Sequence, residues 1–317
     1  MSADEAVVRA GEEIGTPALV PAARRRPDTV RVLGIVLPVA WGAALLSFTL
    51  AWGLPLARDQ LFLWIALGLA AFSVTAWRSW GVMAAEWLPF FALLVLYDKL
   101  RGAVSVAPDA AHVLPQLDAD RFLAGGALPT VWLQERLWDA AHLHWWDVAI
   151  FAVYLTHFLA VWVVAALLWR ASRERFRRYV ALVLLVTLGA FLTYWLFPAQ
   201  PPWMAAGDHG MGPVTRIVPE VWDRLGVTTM QSVYEDGSLV NMVAAMPSLH
   251  AAYPMMLLLF FWPAGGWARL GLGAYTLAMG FALVYGGEHF VTDVLAGWLL
   301  ALAAWALLRV LWPRVSG

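Results

Sequence analysis

The stretch Gly287-Glu288-His289-Phe290-Val291-Thr292-Asp293 opens an apolar segment, 289–312, that is long enough to cross a membrane. A second stretch, Met246-Pro247-Ser248-Leu249-His250, opens the apolar segment 250–265 in the same way. Each stretch places an ionisable histidine at the mouth of a predicted membrane helix. The spacing of four residues predicts that His289 and Asp293 share one face of that helix, one turn apart. The carboxylate would then hold the imidazole in one tautomer and stabilise its cation.

The composition indicates an all-α polytopic membrane protein. Of the 317 residues, 62% are hydrophobic and only 14% are charged. A water-soluble protein of this size could not bury so much apolar surface, whereas one membrane helix needs roughly 20 apolar residues. The formal net charge of −1 is uninformative about nucleic acid, but no basic cluster is interleaved with aromatic residues, so no nucleic-acid partner is predicted. Because cysteine is absent, a disulfide framework, a thiolate nucleophile and a cysteine metal site are excluded.

Hydropathy predicts about eight transmembrane helices and three parts of the chain. Residues 1–29 are polar and are expected to be a disordered cytoplasmic tail. Residues 30–79 are expected to hold two N-terminal transmembrane helices, and residues 80–312 a catalytic membrane domain. Two long loops remain, near 98–146 and 198–249. The eight predicted segments lie near 31–56, 61–77, 81–97, 147–169, 179–197, 250–265, 268–286 and 289–312.

The arginines predict the orientation of these helices. With eight spans, five arginine-bearing segments fall on one side, which is expected to be the cytoplasm because basic residues concentrate there. Both termini would then be cytoplasmic. The segments contain Arg24–Arg26, Arg78, the cluster 170–178, Arg269, and Arg309 with Arg314.

The same topology brings four polar clusters to the opposite, extracytoplasmic face. They are residues 97–101 at the end of the third segment, residues 198–203 at the end of the fifth, His250 and His289. Convergence of distant polar clusters on one face is what an active site requires.

These residue types suit phosphoryl chemistry. A neutral imidazole at His289 can attack phosphorus and carry the phosphoryl group covalently, while Asp293 holds its other ring nitrogen. His250 can donate a proton to the leaving oxygen and later remove one from the acceptor. Arg101 and Lys99 can clamp the non-bridging oxygens. Ser248 supplies a hydroxyl, and the backbone amides beside it, at a helix N-terminus, are expected to face an anion.

Blander interpretations remain open for each residue taken alone. A histidine at a helix end is usually a solvated interfacial residue, and Asp98 with Arg101 could form a structural ion pair. His157, inside the fourth segment, is expected to be a packed core histidine rather than part of a polar path. Zinc binding competes with metal-free chemistry, but no H-E-x-x-H or similarly tight spacing occurs, so no metal and no cofactor are predicted.

The motifs resemble those of the type 2 phosphatidic acid phosphatase superfamily. Pro247-Ser248-Leu249-His250 resembles its P-S-x-H element, and the stretch from His289 to Gly297 resembles its final H-x-x-x-D-V-x-x-G element. Tyr97-Asp98-x-x-Arg101-Gly102 and Gln200-Pro201-Pro202-Trp203 resemble a narrower branch that includes inositol phosphorylceramide synthases. The resemblance spans roughly residues 80–310.

The resemblance implies a helical core with a metal-independent site at the extracytoplasmic face. It implies His289 as the nucleophile, His250 as the general acid and base, and Asp293 as the group that orients His289. Six motif residues are expected to contact substrate: Tyr97, Asp98, Lys99, Arg101, Trp203 and Ser248.

The sequence also departs from the superfamily pattern. The position six residues before the nucleophilic histidine, an arginine in the superfamily, is Leu283 here, and the K-x-x-x-x-x-x-R-P element is absent. The missing clamp favours a phosphodiester substrate, which carries one fewer ionisable oxygen than a monoester. An arginine from the long loops could also fill the gap, and the candidates are Arg121, Arg136, Arg216 and Arg224.

Three functions remain open at this stage. A lipid phosphotransferase would move a headgroup from a membrane phospholipid donor to a lipid or polyol acceptor. A lipid or polyprenyl phosphate phosphatase would use water instead. A transporter is disfavoured because the ionisable residues gather at one face rather than at the midplane. Vanadium-dependent haloperoxidases share these elements but are expected in soluble chains. The sequence favours a bacterial cell membrane and leaves the oligomeric state open.

Overall fold

The computed structural model describes residues 28–53, 55, 58–73, 80–103, 110–226 and 243–312. These residues are mostly helical and contain two isolated parallel β-bridges but no β-strand. The helices, in chain order, are α1 (Asp28–Trp52), α2 (Arg58–Ser73), α3 (Trp80–Ala103), α4 (Leu114–Leu123), α5 (Pro129–Leu137), α6 (Trp145–Ala171), α7 (Arg173–Leu196), α8 (Pro202–Ala205), α9 (Ile217–Arg224), α10 (Leu249–Phe260), α11 (Gly266–Tyr285) and α12 (Val291–Leu311).

The apolar helices confirm the prediction of an all-α polytopic membrane protein. Within the described ranges, six helices are long and apolar enough to cross a membrane: α1, α3, α6, α7, α11 and α12. Helices α2 and α10 are apolar but shorter, so the eight predicted segments each correspond to an apolar helix although fewer of them are full spans. Helix α1 begins at Asp28, just inside the predicted tail, and residues 1–27 lie outside the described part of the chain.

The predicted span 250–265 is the clearest difference. Helix α10 has 12 residues and is about 18 Å long, which is less than the roughly 30 Å of a bilayer core. A 3₁₀ turn, Trp262–Ala264, follows it, and Gly265 at a φ of 112° turns the chain into α11. Only glycine adopts such a φ without steric cost, so the helix cannot continue to residue 265.

Helix α10 forms the centre of the bundle. It packs against α6, α7, α11 and α12, and its Ala251, Ala252 and Met256 are completely buried. The closest approach is to α12, where a Cβ on Gly297 would lie only 2.4 Å from the backbone oxygen of Ser248. Because Gly297 of α12 faces Ser248 and Ala251 of α10, the backbones of the two helices are almost in contact.

A part-buried acid holds α3 parallel to α7. Glu86 lies in an apolar helix, and its carboxylate contacts Arg173 at 2.6 Å, Arg177 at 2.8 Å and the indole nitrogen of Trp169 at 2.9 Å. At the other end of the same helices, the ring centroids of Tyr97 and Phe191 are 6.2 Å apart. An unpaired carboxylate would be costly in this environment, so Glu86 sets the register of the two helices.

The two long loops fold against one end of the bundle. They contain α4, α5, α8 and α9, and backbone hydrogen bonds join their distant parts: the amide of His112 donates to Pro198 O at 2.8 Å, and the amide of Ala245 donates to Ala199 O at 3.1 Å. Gln134 of α5 donates to Thr215 O and Tyr285 O, both at 2.8 Å. These contacts hold the loops over the N-termini of α10 and α12.

The contact between α10 and α12 predicts a strong effect of Gly297→Ala. The added Cβ must push Ser248 away, and overpacking of this kind costs about 1–3 kcal/mol. Gly273→Ala in α11 is the matched control, because a Cβ there meets no atom within 4 Å. We expect the control to keep or slightly raise the midpoint of thermal unfolding in detergent and Gly297→Ala to lower it. Equal midpoints would show that the helices do not meet so closely.

Candidate active site

The N-termini of α10 and α12 meet at the loop-covered end of the bundle. The amide of Ser248, the N-cap of α10, donates to the backbone carbonyl of Asp293 at 3.0 Å. The hydroxyl of Tyr194, near the end of α7, donates to Pro247 O at 2.8 Å. The two histidine motifs and the end of the fifth predicted segment therefore lie together, as the topology predicted.

His289 and Asp293 are in contact, but not for the predicted reason. Helix α12 begins at Val291, so His289 lies in the preceding loop and the two residues do not share a helical face. Asp293 instead occupies the first turn, where its Oδ2 accepts the amide of Phe290 at 3.0 Å and lies 3.5 Å from His289 Nδ1. Asp293 is fully buried and His289 is 8% exposed. This distance is longer than a good hydrogen bond.

A tight turn fixes the loop that carries His289. The amides of Glu288 and His289 both donate to Leu283 O, at 3.0 and 3.2 Å. Gly287 has a φ of 77°, and a Cβ there would lie 2.8 Å from Thr215 O. The turn therefore requires glycine both for its backbone conformation and for the close approach of the loop that precedes α9.

His250 faces His289 and is surrounded by aromatic rings. The ring centroids of His250 and His289 are 6.0 Å apart. His250 also stacks on His157 at 3.7 Å and on Tyr154 at 4.7 Å, and both neighbours come from α6. His157 is therefore in contact with the predicted site, rather than being only a packed core histidine as expected from the sequence.

Of the four loop arginines that could replace a clamp at Leu283, Arg216 lies beside the His289 turn. Its guanidinium makes a bidentate ion pair with Glu288, at 2.8 and 3.0 Å, directly before His289. It also lies over the ring of Trp203 at 4.5 Å, and the amide of Trp203 donates to Gly287 O at 3.2 Å. The other three make exposed contacts away from this turn: Arg121 with Gly210 O, Arg136 with Trp132, and Arg224 with Ala140 O.

The remaining predicted substrate contacts have mixed outcomes. Ser248 is fully buried, its Oγ accepts the amide of Ala251, and its own amide is used by Asp293 O, so that amide does not face an anion as expected. Tyr97 is buried against Phe191, and Lys99 is exposed on the last turns of α3. The backbone of Asp98 and Arg101 continues α3, while their side chains lie outside the described part of the chain.

Asp120 is a buried acid at the site that the sequence did not single out. Its carboxylate accepts the amides of Val291 and Thr292, both at 2.9 Å, and the Thr292 hydroxyl at 2.7 Å. Burial raises the pKa of Asp120 above its ordinary value, while these hydrogen bonds oppose that shift. The carboxylate from α4 thus occupies the positive end of the α12 dipole. The sequence pattern of the short helix α4 does not distinguish Asp120 from the other acidic residues of the loops.

Within the described ranges, no three histidine, cysteine, aspartate or glutamate side chains are grouped closely enough to hold a metal ion. Among the described side chains, this end of the bundle brings together the imidazoles of His250 and His289, the carboxylates of Asp120, Glu288 and Asp293, and the guanidinium of Arg216.

Two comparisons with known proteins show which family this chain belongs to. The model of the PAP2 superfamily matches residues 126–307, more than half of the chain, including both histidine motifs. The chain belongs to the PAP2 superfamily. A phosphoinositol dihydroceramide synthase of Bacteroides thetaiotaomicron is 29% identical over 250 residues, which cover 74% of this chain and 79% of that protein. No solved structure gives a significant match. Together, the superfamily and this relative support a membrane enzyme that acts on lipid phosphate.

We expect Asp120→Ala to loosen the start of α12 without unfolding the bundle. The substitution leaves two backbone amides and one hydroxyl without their acceptor, which costs about 1–3 kcal/mol. Hydrogen exchange at the amides of Val291 and Thr292 should accelerate. Asp118→Ala removes an exposed carboxylate from the same helix and should leave this exchange unchanged. Unchanged exchange in Asp120→Ala would contradict the capping role.

Proposed function

We propose that this PAP2 superfamily protein is a lipid phosphotransferase that moves a phosphoinositol-type headgroup from a phospholipid to a lipid acceptor through a phosphohistidine-type intermediate on His289. The observation that carries the proposal is the pairing of His289 with buried Asp293, opposite His250. A nucleophile, a group that orients it and an acid–base partner are thereby held on three neighbouring segments.

In the first half-reaction, Nε2 of His289 attacks the phosphorus of the donor while Asp293 faces Nδ1. The phosphorus–nitrogen bond forms, the bond to the glyceride oxygen breaks, and protonated His250 delivers its proton to that oxygen. Diacylglycerol leaves. The ring centroids of the two histidines are 6.0 Å apart, so both imidazoles can act on one phosphoryl group.

In the second half-reaction, neutral His250 removes the proton from the acceptor hydroxyl. The acceptor oxygen attacks phosphorus, the phosphorus–nitrogen bond breaks, and His289 returns to its starting state. His250 regains the proton it gave up, so no net proton is gained or lost over the cycle.

Arg216 is our candidate for the missing phosphate clamp. Glu288 holds its guanidinium in a fixed plane, and Trp203 supports one face of it. Glu288 balances the charge, which suits a phosphodiester with one negative oxygen better than a doubly charged monoester. Leu283, at the position where the superfamily carries an arginine, contributes instead through its backbone carbonyl, which accepts the amides of Glu288 and His289.

Two observations favour a transferase: the burial of His289 and Asp293, and the similarity to the Bacteroides synthase. The Bacteroides protein is named as a synthase of phosphoinositol dihydroceramide. His289 and Asp293 are nearly inaccessible, and the segment before α9 packs against Gly287, two residues before His289, which disfavours direct attack by bulk water. A phosphatase would share the first half-reaction and differ only in the acceptor.

The orientation proposal places this site on the extracytoplasmic side. The arginine-rich ends of α7 and α12 lie at the opposite end of the bundle from His250 and His289, and basic ends face the cytoplasm. The headgroup transfer would then occur at the outer surface of the membrane.

The first test is turnover by the purified protein in detergent, with phosphatidylinositol as donor and without divalent metal. We expect diacylglycerol and a new inositol phospholipid to form only when ceramide or dihydroceramide is added. His289→Ala should abolish both products, since no intermediate can form. Release of inositol phosphate without acceptor would mean that water takes the place of the lipid acceptor, and would indicate a hydrolase. Equal turnover by the native protein and His289→Ala would overturn the histidine mechanism.

The clamp is tested by Arg216→Gln, which should lower kcat/KM by about 100-fold, as loss of one transition-state donor typically does. Arg224→Gln is the matched control, because Arg224 contacts Ala140 O outside the site and its loss should leave turnover nearly unchanged.

The double variant Arg216→Gln with Glu288→Gln separates catalysis from folding. It removes the acid that the single variant leaves buried and unpaired. Recovery of activity in the double variant would mean that Arg216 serves only to neutralise Glu288, and would contradict its role as a clamp.

A further inference from the structure

A pocket lined by both arginines and apolar side chains lies at the end of the bundle opposite the histidines. It has a volume of about 580 Å³ and lies where α7 begins and α10 and α12 end. Arg178 of α7 and Arg309 of α12 line it, together with Trp262, Trp305 and Trp312. The proposed reaction uses none of these residues.

The two arginines of this pocket carry unbalanced charge. In the described ranges, neither Arg178 nor Arg309 has an ion pair with an acidic side chain, whereas nearby Arg173 and Arg177 share Glu86. Arg178 donates to Trp312 O at 2.9 Å, which leaves its charge intact. The C-termini of α10 and α12 contribute about −0.5 charge each, but the N-termini of α7 and α11 at the same end contribute about +0.5 each. Helix dipoles therefore do not neutralise the pair.

Two more arginines add to the positive potential at the rim. Arg175 lies over Phe261 at 5.6 Å, and Arg269 lies over Trp262 at 5.0 Å. Both use an aromatic face rather than a carboxylate as their partner.

The walls of the pocket are amphipathic. Three indoles offer broad apolar faces, and the pocket size falls within the roughly 300–1,000 Å³ typical of small-molecule sites. An interfacial belt explains tryptophans at this depth, but it does not explain their convergence with two unbalanced guanidiniums on one concavity. Such a lining favours a ligand at the membrane surface that has an anionic group for the arginines and an apolar part for the tryptophans.

We propose that this pocket binds the headgroup of an anionic glycerophospholipid from the leaflet opposite the histidine site. The phosphodiester lies between Arg178 and Arg309, and the glycerol backbone and upper acyl chains lie against the tryptophans. Guanidinium groups bind phosphate oxygens through paired hydrogen bonds, and arginines near the membrane surface attract anionic lipid.

The test is lipid binding to the full-length protein in detergent, measured by native mass spectrometry. The probes are phosphatidylglycerol and phosphatidylcholine with identical acyl chains. We expect the native protein to prefer phosphatidylglycerol by roughly tenfold, and Arg178→Gln with Arg309→Gln to lose that preference. Soluble glycerophosphoglycerol, which has the headgroup without the chains, should not displace the lipid. Full displacement would mean a free-phosphate site and would overturn the lipid assignment.

Two controls keep the test decisive. Arg170→Gln removes an exposed arginine from the same end of the bundle but outside the pocket, where it contacts Phe72, and should keep the preference. Arg309→Gln alone removes an exposed side chain and should fold normally, with a partial loss of preference. A native protein without preference, or equal loss in Arg170→Gln and the pocket variants, would overturn the proposal.

Discussion

Asp293 is the residue on which the arrangement at the histidine end depends. Its backbone carbonyl accepts the amide of Ser248 and so joins α12 to α10. Its carboxylate accepts the amide of Phe290, which starts α12, and also faces His289. One residue thus joins the start of α12, the packing of α12 on α10 and a contact with the imidazole of His289. Gly297 permits this coupling, because a side chain one turn further along would separate the two helices.

Three further acids that are buried or part-buried join other elements of the molecule through defined partners. Asp120 is bound by the first turn of α12, Glu288 by Arg216, and Glu86 by two arginines and an indole. A carboxylate removed from water must be hydrogen-bonded or paired, so each of these residues specifies one geometry for the elements it joins. Two of the three lie beside the His289 turn, which explains how loop segments distant in sequence come to surround it.

The two ends of the bundle differ in electrostatic character. At the histidine end, the described acids Asp120 and Glu288 are paired with backbone amides, a hydroxyl and the guanidinium of Arg216. At the other end, arginines exceed the acids that pair with them in the described residues. This asymmetry agrees with one end built for proton and phosphoryl transfer and the other for contact with an anionic membrane surface.

The sequence by itself determined the class of fold, the apolar helices and the motifs that carry the proposed chemistry. These features depend on composition and on local spacing, which a linear pattern records. Only the tertiary structure decided that His289 precedes its helix, that the Ser248 amide is already bonded, and that His157 stacks on His250. The same holds for Asp120, and for Arg216 among four loop arginines. Such contacts join residues up to about 170 positions apart in the sequence. The local hydrophobic periodicity of a sequence does not indicate which loop residue will contact the end of a distant helix.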